Sequence, residues 1–406
     1  MRVGIEKIEG YTSRLSLELE DLAVARRMDR SYPQERLMAA RRSVLPPFED
    51  AVTLAVNAAR RLLQGVDTSS IGLLVVATES GVDFGKPVST WVHRFCELPA
   101  RCRNFEVKHA CYGGTAALNV AASWVASRQS PGKKALVISA DHSRNHVGSR
   151  IEFISGGGAI AMLVSDEPAV LALDLGQSGL WSYEIADTFR PSPTAEEGNS
   201  QESLYSYLDA LEESFAAYEA IHGDLDPRNH FRRQIYHTPF PGMALQAHRA
   251  LLGRYELSKS EVHEDFEARV APTLWISQEV GGTYSASVFV NLLALLNWDR
   301  GLREGDRLGV FSYGSGCQAE FFSGTLGPAA VSQVRSLDWE GHLSSRSPLS
   351  VETYEALEAA RESLIHERTA PALTPVGQSV FEPAYEGRGL LILDRLEDYR
   401  RHYRWS

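Results

Sequence analysis

One cysteine in this chain has the surroundings of an acyl acceptor. In Arg103-Asn-Phe-Glu-Val-Lys-His-Ala-Cys111-Tyr-Gly-Gly-Thr-Ala-Ala-Leu-Asn119 a short apolar run ends at Cys111 and two glycines follow. A helical pattern then begins through Ala116, Ala117, Leu118, Val120, Ala121, Trp124 and Val125. A thiol at a strand-to-helix turn meets the positive end of the helix, which favours thiolate over thiol. The small neighbours leave room for a thioester carbonyl to approach the backbone. A lone cysteine before a helix can equally be a buried, inert side chain, so the flanking chemistry has to be weighed with the rest of the chain.

Two further residues have matching chemistry. Glu79 ends the apolar run Val75-Val-Ala-Thr-Glu-Ser80, and a carboxylate at the carboxyl end of a buried strand faces a crevice. Partial desolvation there raises its pKa and lets it trade protons near neutrality. His237 lies in Gln234-Ile-Tyr-His-Thr-Pro-Phe-Pro-Gly-Met243, where an apolar strand stops at an imidazole fixed by the rigid Thr-Pro turn. An exposed strand-end acid and a structural histidine are the plain alternatives for these two.

The elements that position them alternate. Ile71–Ala77, Ala135–Ser139, Ala159–Val164 and Leu308–Ser312 are short apolar runs bounded by glycine or charge, as expected of strands covered on both faces. Amphipathic helices are expected over Phe48–Leu63, Thr115–Arg128, Leu204–Ile221 and Tyr284–Leu296, which together predict an α/β layered fold. Phe311-Ser-Tyr-Gly-Ser-Gly-Cys317 weakly echoes Ala110–Thr115. The polar, Pro-rich stretch Arg190–Asn199 and the segment Leu343–Ser350 are expected as surface loops.

Composition narrows the class. The 406 residues are 44% hydrophobic and 23% charged, with ample core for a globular protein. A net charge of −11 argues against nucleic-acid binding. Cys96, Cys102, Cys111 and Cys317 have no zinc spacing and are too few for a disulfide scaffold, so no metal and a cytoplasmic location are expected. The start Met1-Arg-Val-Gly-Ile-Glu reads as a strand rather than an export signal, and no apolar run reaches membrane-span length.

Taken in order, the motifs Ala77-Thr-Glu-Ser80, Ala110–Thr115, Ser155–Ala161, His237-Thr-Pro-Phe240, Tyr284-Ser-Ala-Ser287 and Tyr313-Gly-Ser-Gly316 are specific. Across essentially its whole length the chain resembles the 3-hydroxy-3-methylglutaryl synthases of the thiolase superfamily. The resemblance implies a five-layered αβαβα fold of two similar halves, placed here at residues 1–168 and 169–406, the second carrying a helical insertion around Leu204–Ile221. It implies that Cys111 carries an acetyl group, that Glu79 is the acid/base of carbon–carbon bond formation, and that His237 positions the acceptor thioester. Gly282, Tyr284, Gly314 and Ser315 fall in its substrate and oxyanion positions. A homodimer without resident cofactor is implied as well.

The branch can be read further. Members acting on coenzyme A typically carry lysines after the His-x-Pro-Phe motif, whereas Pro241-Gly-Met-Ala-Leu-Gln-Ala-His-Arg249 has none. Glu79–Pro87, Cys102–Glu106 and Asp398–Trp405 look closer to the polyketide-associated branch. Its members take both partners on the phosphopantetheine arms of donor and acceptor acyl carrier proteins and install a β-branch. Carrier proteins are acidic, so Arg228, Arg232 and Arg233, with Arg101 and Arg103, are candidate docking residues. One departure stands out: Gln278-Glu-Val-Gly-Gly-Thr-Tyr284 places Gly282 where the family has an asparagine amide. Loss of such a donor costs about 3 kcal/mol of transition-state stabilisation. The alternatives left open are a synthase acting on coenzyme A thioesters, an acyltransferase or hydrolase that loads Cys111 but condenses poorly, a decarboxylating condensation, and a non-catalytic carrier-binding scaffold.

Overall fold

The computed structural model describes residues 2–223 and 225–406. Its central sheet follows one hydrogen-bonded path of strands in two similar parts. In the first part Ile71–Ala77 runs parallel to Arg103–Val107 and to Lys134–His142. Lys134–His142 then pairs antiparallel with Gly157–Ser165, which pairs antiparallel with Gly4–Tyr11. The second part repeats the pattern: Arg233–Tyr236 runs parallel to Arg307–Gly314, which pairs antiparallel with Gln318–Leu326, which pairs antiparallel with Leu171–Leu173. Leu171–Leu173 also pairs with Gly4–Ile5, so the two half-sheets expected from the sequence are joined edge to edge.

The strands are apolar throughout because both faces are covered. In Gly157–Ser165, Ile160, Met162 and Val164 face one apolar cluster while Ala159, Ala161 and Leu163 face another. The inner cluster holds two central helices, Gly113–Ala126 and Ser287–Trp298, with Leu118, Ala121, Phe289 and Leu292 packed against strand residues of both parts. A helix apolar on all sides belongs inside, and Ser287–Trp298 (Ser-Val-Phe-Val-Asn-Leu-Leu-Ala-Leu-Leu-Asn-Trp) is buried over Ser287–Leu296. The outer faces are covered by Ala51–Leu62 and Val88–Phe95 on one side, and by Ser200–His222 and Pro241–Leu252 on the other.

The topology corrects the echo read between Ala110–Thr115 and Phe311–Cys317. No helix follows Cys317; the strand Gln318–Leu326 does, so this segment is a hairpin turn. The counterpart of the helix after Cys111 is Ser287–Trp298, which follows Tyr284. The segment Leu343–Ser350 is not a plain surface loop either. Ser347–Pro348 runs parallel to Leu15–Ser16, and Arg346 is buried on the Glu279 carboxylate at 3.1 Å.

Candidate active site

Cys111 lies four residues beyond the strand Arg103–Val107 and two before the helix Gly113–Ala126. Ala110 adopts φ 39° to turn the chain. Glycine is required at the start of this helix. A Cβ on Gly114 would lie 2.2 Å from the Ser285 carbonyl oxygen and 2.5 Å from the Ser139 hydroxyl. That contact lets the helix end abut the turn Tyr284–Ala286, and it places the cysteine loop at the junction of the two parts. Gly314 approaches from the far side, where a Cβ would lie 2.6 Å from the Tyr112 nitrogen.

Glu79 follows the strand Ile71–Ala77 by two residues, and the buried Asp141, at the end of the neighbouring strand, fixes it. One Asp141 oxygen accepts the Glu79 N–H at 2.8 Å, the Ser80 N–H at 3.0 Å, the Thr78 hydroxyl at 3.0 Å and the Ser80 hydroxyl at 2.8 Å. The other accepts the Ser285 N–H at 3.2 Å and the Ser285 hydroxyl. These donors fix the Asp141 carboxylate in place, and its field adds to the burial around Glu79. Burial, partly opposed by Arg190 and reinforced by Asp141 and Glu196, pushes the Glu79 carboxyl up to about 8.

The same surroundings reverse the expectation for Cys111. Burial, then the charges of Glu79 and Asp141, push the thiol well above its ordinary range, with Arg190 opposing. The helix end is outweighed because its effect is confined to about one turn and carries only a fraction of a charge. These mutual effects bring Cys111, Glu79, Asp141, Arg190 and Glu196 into one site.

Arg190 and Glu196 were expected on a surface loop, and the structure turns both side chains inward. They are 9% and 7% exposed. Arg190 lies 3.4 Å from Glu79 and 3.2 Å from Glu196. Its guanidinium stacks 4.6 Å over the Tyr284 ring. The Tyr284 hydroxyl donates to Glu196 at 3.2 Å, and His146 stands 3.3 Å from the same carboxylate.

His237 is the residue after the strand Arg233–Tyr236, and its N–H donates to the Phe311 carbonyl at 2.8 Å. Its Nδ1 lies 2.7 Å from the Ser287 hydroxyl, whose oxygen also accepts the Thr238 N–H at 3.0 Å. Burial lowers its pKa to about 3, so the imidazole is neutral. Its ring stands 6.3 Å from that of Tyr313, the neighbour of Gly314, which ties it to the cysteine loop. The stretch Tyr284–Ser287 therefore touches every part of the site: Tyr284 meets Arg190 and Glu196, Ser285 meets Asp141, and Ser287 meets His237.

Gly282 packs against the carbonyls of Ile154 and Pro239. Its N–H is spent on the Ile154 carbonyl at 2.9 Å, and a Cβ there would lie 2.9 Å from that same oxygen. Ser315 lies in the turn between Arg307–Gly314 and Gln318–Leu326. Of the arginines read as a docking patch, Arg228 is forked on Asp226 at 2.6 Å and Arg233 is held by Asp299 at 2.5 Å. Arg232, Arg101 and Arg103 are exposed. Asp141, Arg190, Glu196, His146 and Ser287 carried no sequence signal of their own, although Ser287 lay within a quoted motif.

Five layers around two central helices, with a cysteine turn at the head of the first, define the thiolase-like class of acyl-transferring enzymes. The family models for the N-terminal and C-terminal parts of hydroxymethylglutaryl-coenzyme A synthase match residues 1–169 and 255–405. The chain is 36% identical, over 99% of each sequence, to the polyketide biosynthesis 3-hydroxy-3-methylglutaryl-ACP synthase PksG of Bacillus subtilis. It is 32% identical to the hydroxymethylglutaryl-CoA synthase of Enterococcus faecalis, over 88% of this chain and 91% of that one. Among solved structures, the curacin biosynthetic pathway HMG synthase in complex with acetyl donor-ACP matches over 100% of both chains, with TM-score 0.96 and 36% identity. The chain belongs to the hydroxymethylglutaryl-CoA synthase family, and it is an acyl-condensing transferase.

Proposed function

We propose that this enzyme installs a β-branch during polyketide biosynthesis, taking acetyl from a donor acyl carrier protein and adding it to a β-ketoacyl acceptor carrier protein. The observation that carries this reading is full-length similarity to PksG and to the curacin synthase bound to its acetyl donor-ACP. The helix Pro241–Leu252 adds support. Its one Lys or Arg side chain is Arg249, and His248 is turned inward, bonded to Tyr236 and Asp265 at 3.0 Å each, so it offers little to the phosphates of coenzyme A.

In this mechanism Cys111 attacks the acetyl thioester, and the carrier thiol leaves with the proton. Glu79, ionised, takes a proton from the acetyl methyl; the carbanion adds to the acceptor β-carbon, and Glu79 returns the proton to the new alkoxide. His237 acts on the acceptor thioester carbonyl. With the Ser287 hydroxyl donating to Nδ1, the imidazole N–H sits at Nε2, the tautomer that can donate to that oxygen. The Cys111 N–H, with an amide near Ser315, holds the tetrahedral oxyanion. Water then hydrolyses the Cys111 thioester and frees a 3-hydroxy-3-(carboxymethyl)acyl group on the acceptor carrier.

The four free cysteines support a reducing, cytoplasmic setting, and among the described residues no helix is long and apolar enough to cross a membrane. A homodimer accords with the thiolase-like fold. The test is intact-protein mass spectrometry with acetyl-carrier protein and acetyl-coenzyme A side by side. Faster acetylation from the carrier, absent in Cys111→Ala, is expected. An adduct undiminished in Cys111→Ala sinks the nucleophile, and preference for coenzyme A sinks the carrier-protein reading. Free acetate without branched product indicates loading without condensation.

A further inference from the structure

Three arginines, Arg144, Arg190 and Arg361, gather around His142, and two of them are matched. Arg190 has Glu79 and Glu196. Arg361 lies 2.5 Å from Glu358 and donates to the Ser143 carbonyl and to Nδ1 of His142, each at 3.1 Å. Arg144 forms no ion pair or hydrogen bond among the described residues, and its Nε is buried with no acceptor. A desolvated cation beside two others is costly unless an anion joins it. Burial and the charges of Arg190 and Arg361 lower its pKa to about 10, which still leaves it cationic at neutral pH.

Its place limits what that anion can be. Arg144 follows Asp141 by three residues, and the His142 carbonyl two residues before it accepts the Ser80 hydroxyl at 3.1 Å and the Arg190 guanidinium at 3.3 Å, with the Arg144 charge felt by Glu79. It therefore belongs to the reacting end of the site. A carrier's phosphate is separated from its thioester by the whole pantetheine chain, so a cation at this depth is out of its reach. The acetyl and β-ketoacyl groups are neutral. The proposed reaction creates one anion here: water adds to the Cys111 thioester carbonyl, the carbon–sulfur bond breaks, sulfur keeps the proton as thiol, and the new acid loses its proton to solvent. That carboxylate appears beside the acids Asp141 and Glu196, with Arg190 already shared by Glu79 and Glu196.

We propose that Arg144 is the binding residue for the carboxylate released from Cys111, left unpartnered through loading and condensation and filled at hydrolysis. A planar guanidinium suits it because it can take both carboxylate oxygens at once. The inference rests on the proposed condensation.

The test measures calorimetric binding of 3-hydroxy-3-methylglutaryl-pantetheine and of its terminal carboxamide analogue to the full-length enzyme, Arg144→Gln and Arg144→Lys. Wild type is expected to favour the carboxylate by about tenfold or more, the scale of one charge-assisted hydrogen bond. Arg144→Gln is expected to lose that preference while keeping its affinity for the amide, which also reports an intact fold. Arg144→Lys is expected to keep part of it and decides the matter if the glutamine variant binds neither ligand. A carboxylate preference that survives in Arg144→Gln, or is as large in Arg144→Lys as in wild type, overturns the assignment alone. Equal binding of the two ligands by wild type does the same. Failure of wild type to bind either thioester overturns the condensation reading, and this inference with it.

Discussion

Nη2 of Arg190 stands 3.4 Å from Oε1 of Glu79 and 3.2 Å from Oε2 of Glu196, so one guanidinium serves two acids. The acids answer differently. Burial pushes both up, but Glu196 also receives His146, Arg190 and the Tyr284 hydroxyl and ends below the usual carboxylate range. Glu79 keeps the burial and the repulsion of Asp141 and Glu196, and holds its proton to about pH 8. Two neighbouring carboxyls with divergent pKa values are how one site obtains a fixed charge and a group that exchanges protons.

That division predicts the pH dependence of condensation. Glu79 acts as base only when ionised, so the single-turnover rate of pre-acetylated enzyme rises about tenfold per pH unit below about pH 8 and levels above it. Glu196→Gln removes a charge that opposes ionisation and frees Arg190 for Glu79, moving the inflection down. Arg190→Met removes the opposing cation and moves it up. Rapid-quench rates from pH 6 to 9 check the order of the three curves, and the reverse order excludes Glu79 as the base.

Asp141 predicts a stability effect. Its carboxylate collects the amides of Glu79, Ser80 and Ser285 and the hydroxyls of Thr78, Ser80 and Ser285. An asparagine has one acceptor oxygen and turns an N–H₂ on the remaining donors. Asp141→Asn is expected to destabilise the fold by about 3 kcal/mol, since hydrogen bonds to a charged group contribute about 1.5–3 each and buried donors are left unpaired. Urea unfolding measures it, and a loss below about 1 kcal/mol contradicts the network.

The framework was largely legible in the sequence and the polar interior was not, for a physical reason. Strands covered on both faces announce themselves as apolar runs, and the run Ile71–Ala77 is the strand found. Residues at strand ends, such as Glu79 and His237, break such runs and stand out. Arg190 and Glu196 lie in a polar stretch with no periodicity, where an inward side chain has the same sequence signature as a solvated one. Asp141 was hidden differently: it falls within the continuation of a buried strand beyond Ser139, and its partners come from Thr78–Ser80 and Ser285, far away in the chain. Cys111 stood out from its flanking residues, but the charges that push its thiol up come from those same distant segments and leave no mark beside it in the sequence.

The glycines near the site give a third prediction. A Cβ on Gly114 meets the Ser285 carbonyl at 2.2 Å, and backbone cannot yield there without parting the central helix from the turn that holds Asp141. Gly114→Ala is expected to cost about 3 kcal/mol or more and to impair loading. Gly282→Asn, which supplies the amide that the resemblance places at this position, brings a Cβ to 2.9 Å from the Ile154 oxygen and is expected to destabilise by about 1–3 kcal/mol without raising turnover. A faster, equally stable Gly282→Asn enzyme rejects the view that this glycine is required by packing.

Acetylation of Cys111 should obey a different pH law from condensation. The thiol is raised well above its ordinary range, first by burial and then by Glu79 and Asp141. With thiolate scarce, loading climbs with pH through neutrality and does not level at pH 8, where condensation does. The charge on Glu79 matters only once it exists. Below about pH 8 Glu79 is mostly neutral, so Glu79→Gln loads at the wild-type rate. Above it, the wild-type carboxylate opposes the thiolate while the glutamine does not, and Glu79→Gln loads faster although it no longer condenses. Stopped-flow acetylation from acetyl-pantetheine, followed between pH 6.5 and 9.5, distinguishes this from direct proton abstraction by Glu79. A Glu79→Gln enzyme that loads more slowly than wild type at pH 7 shows that the carboxylate takes the Cys111 proton, and the two residues then act as a base–nucleophile pair instead of as repelling neighbours.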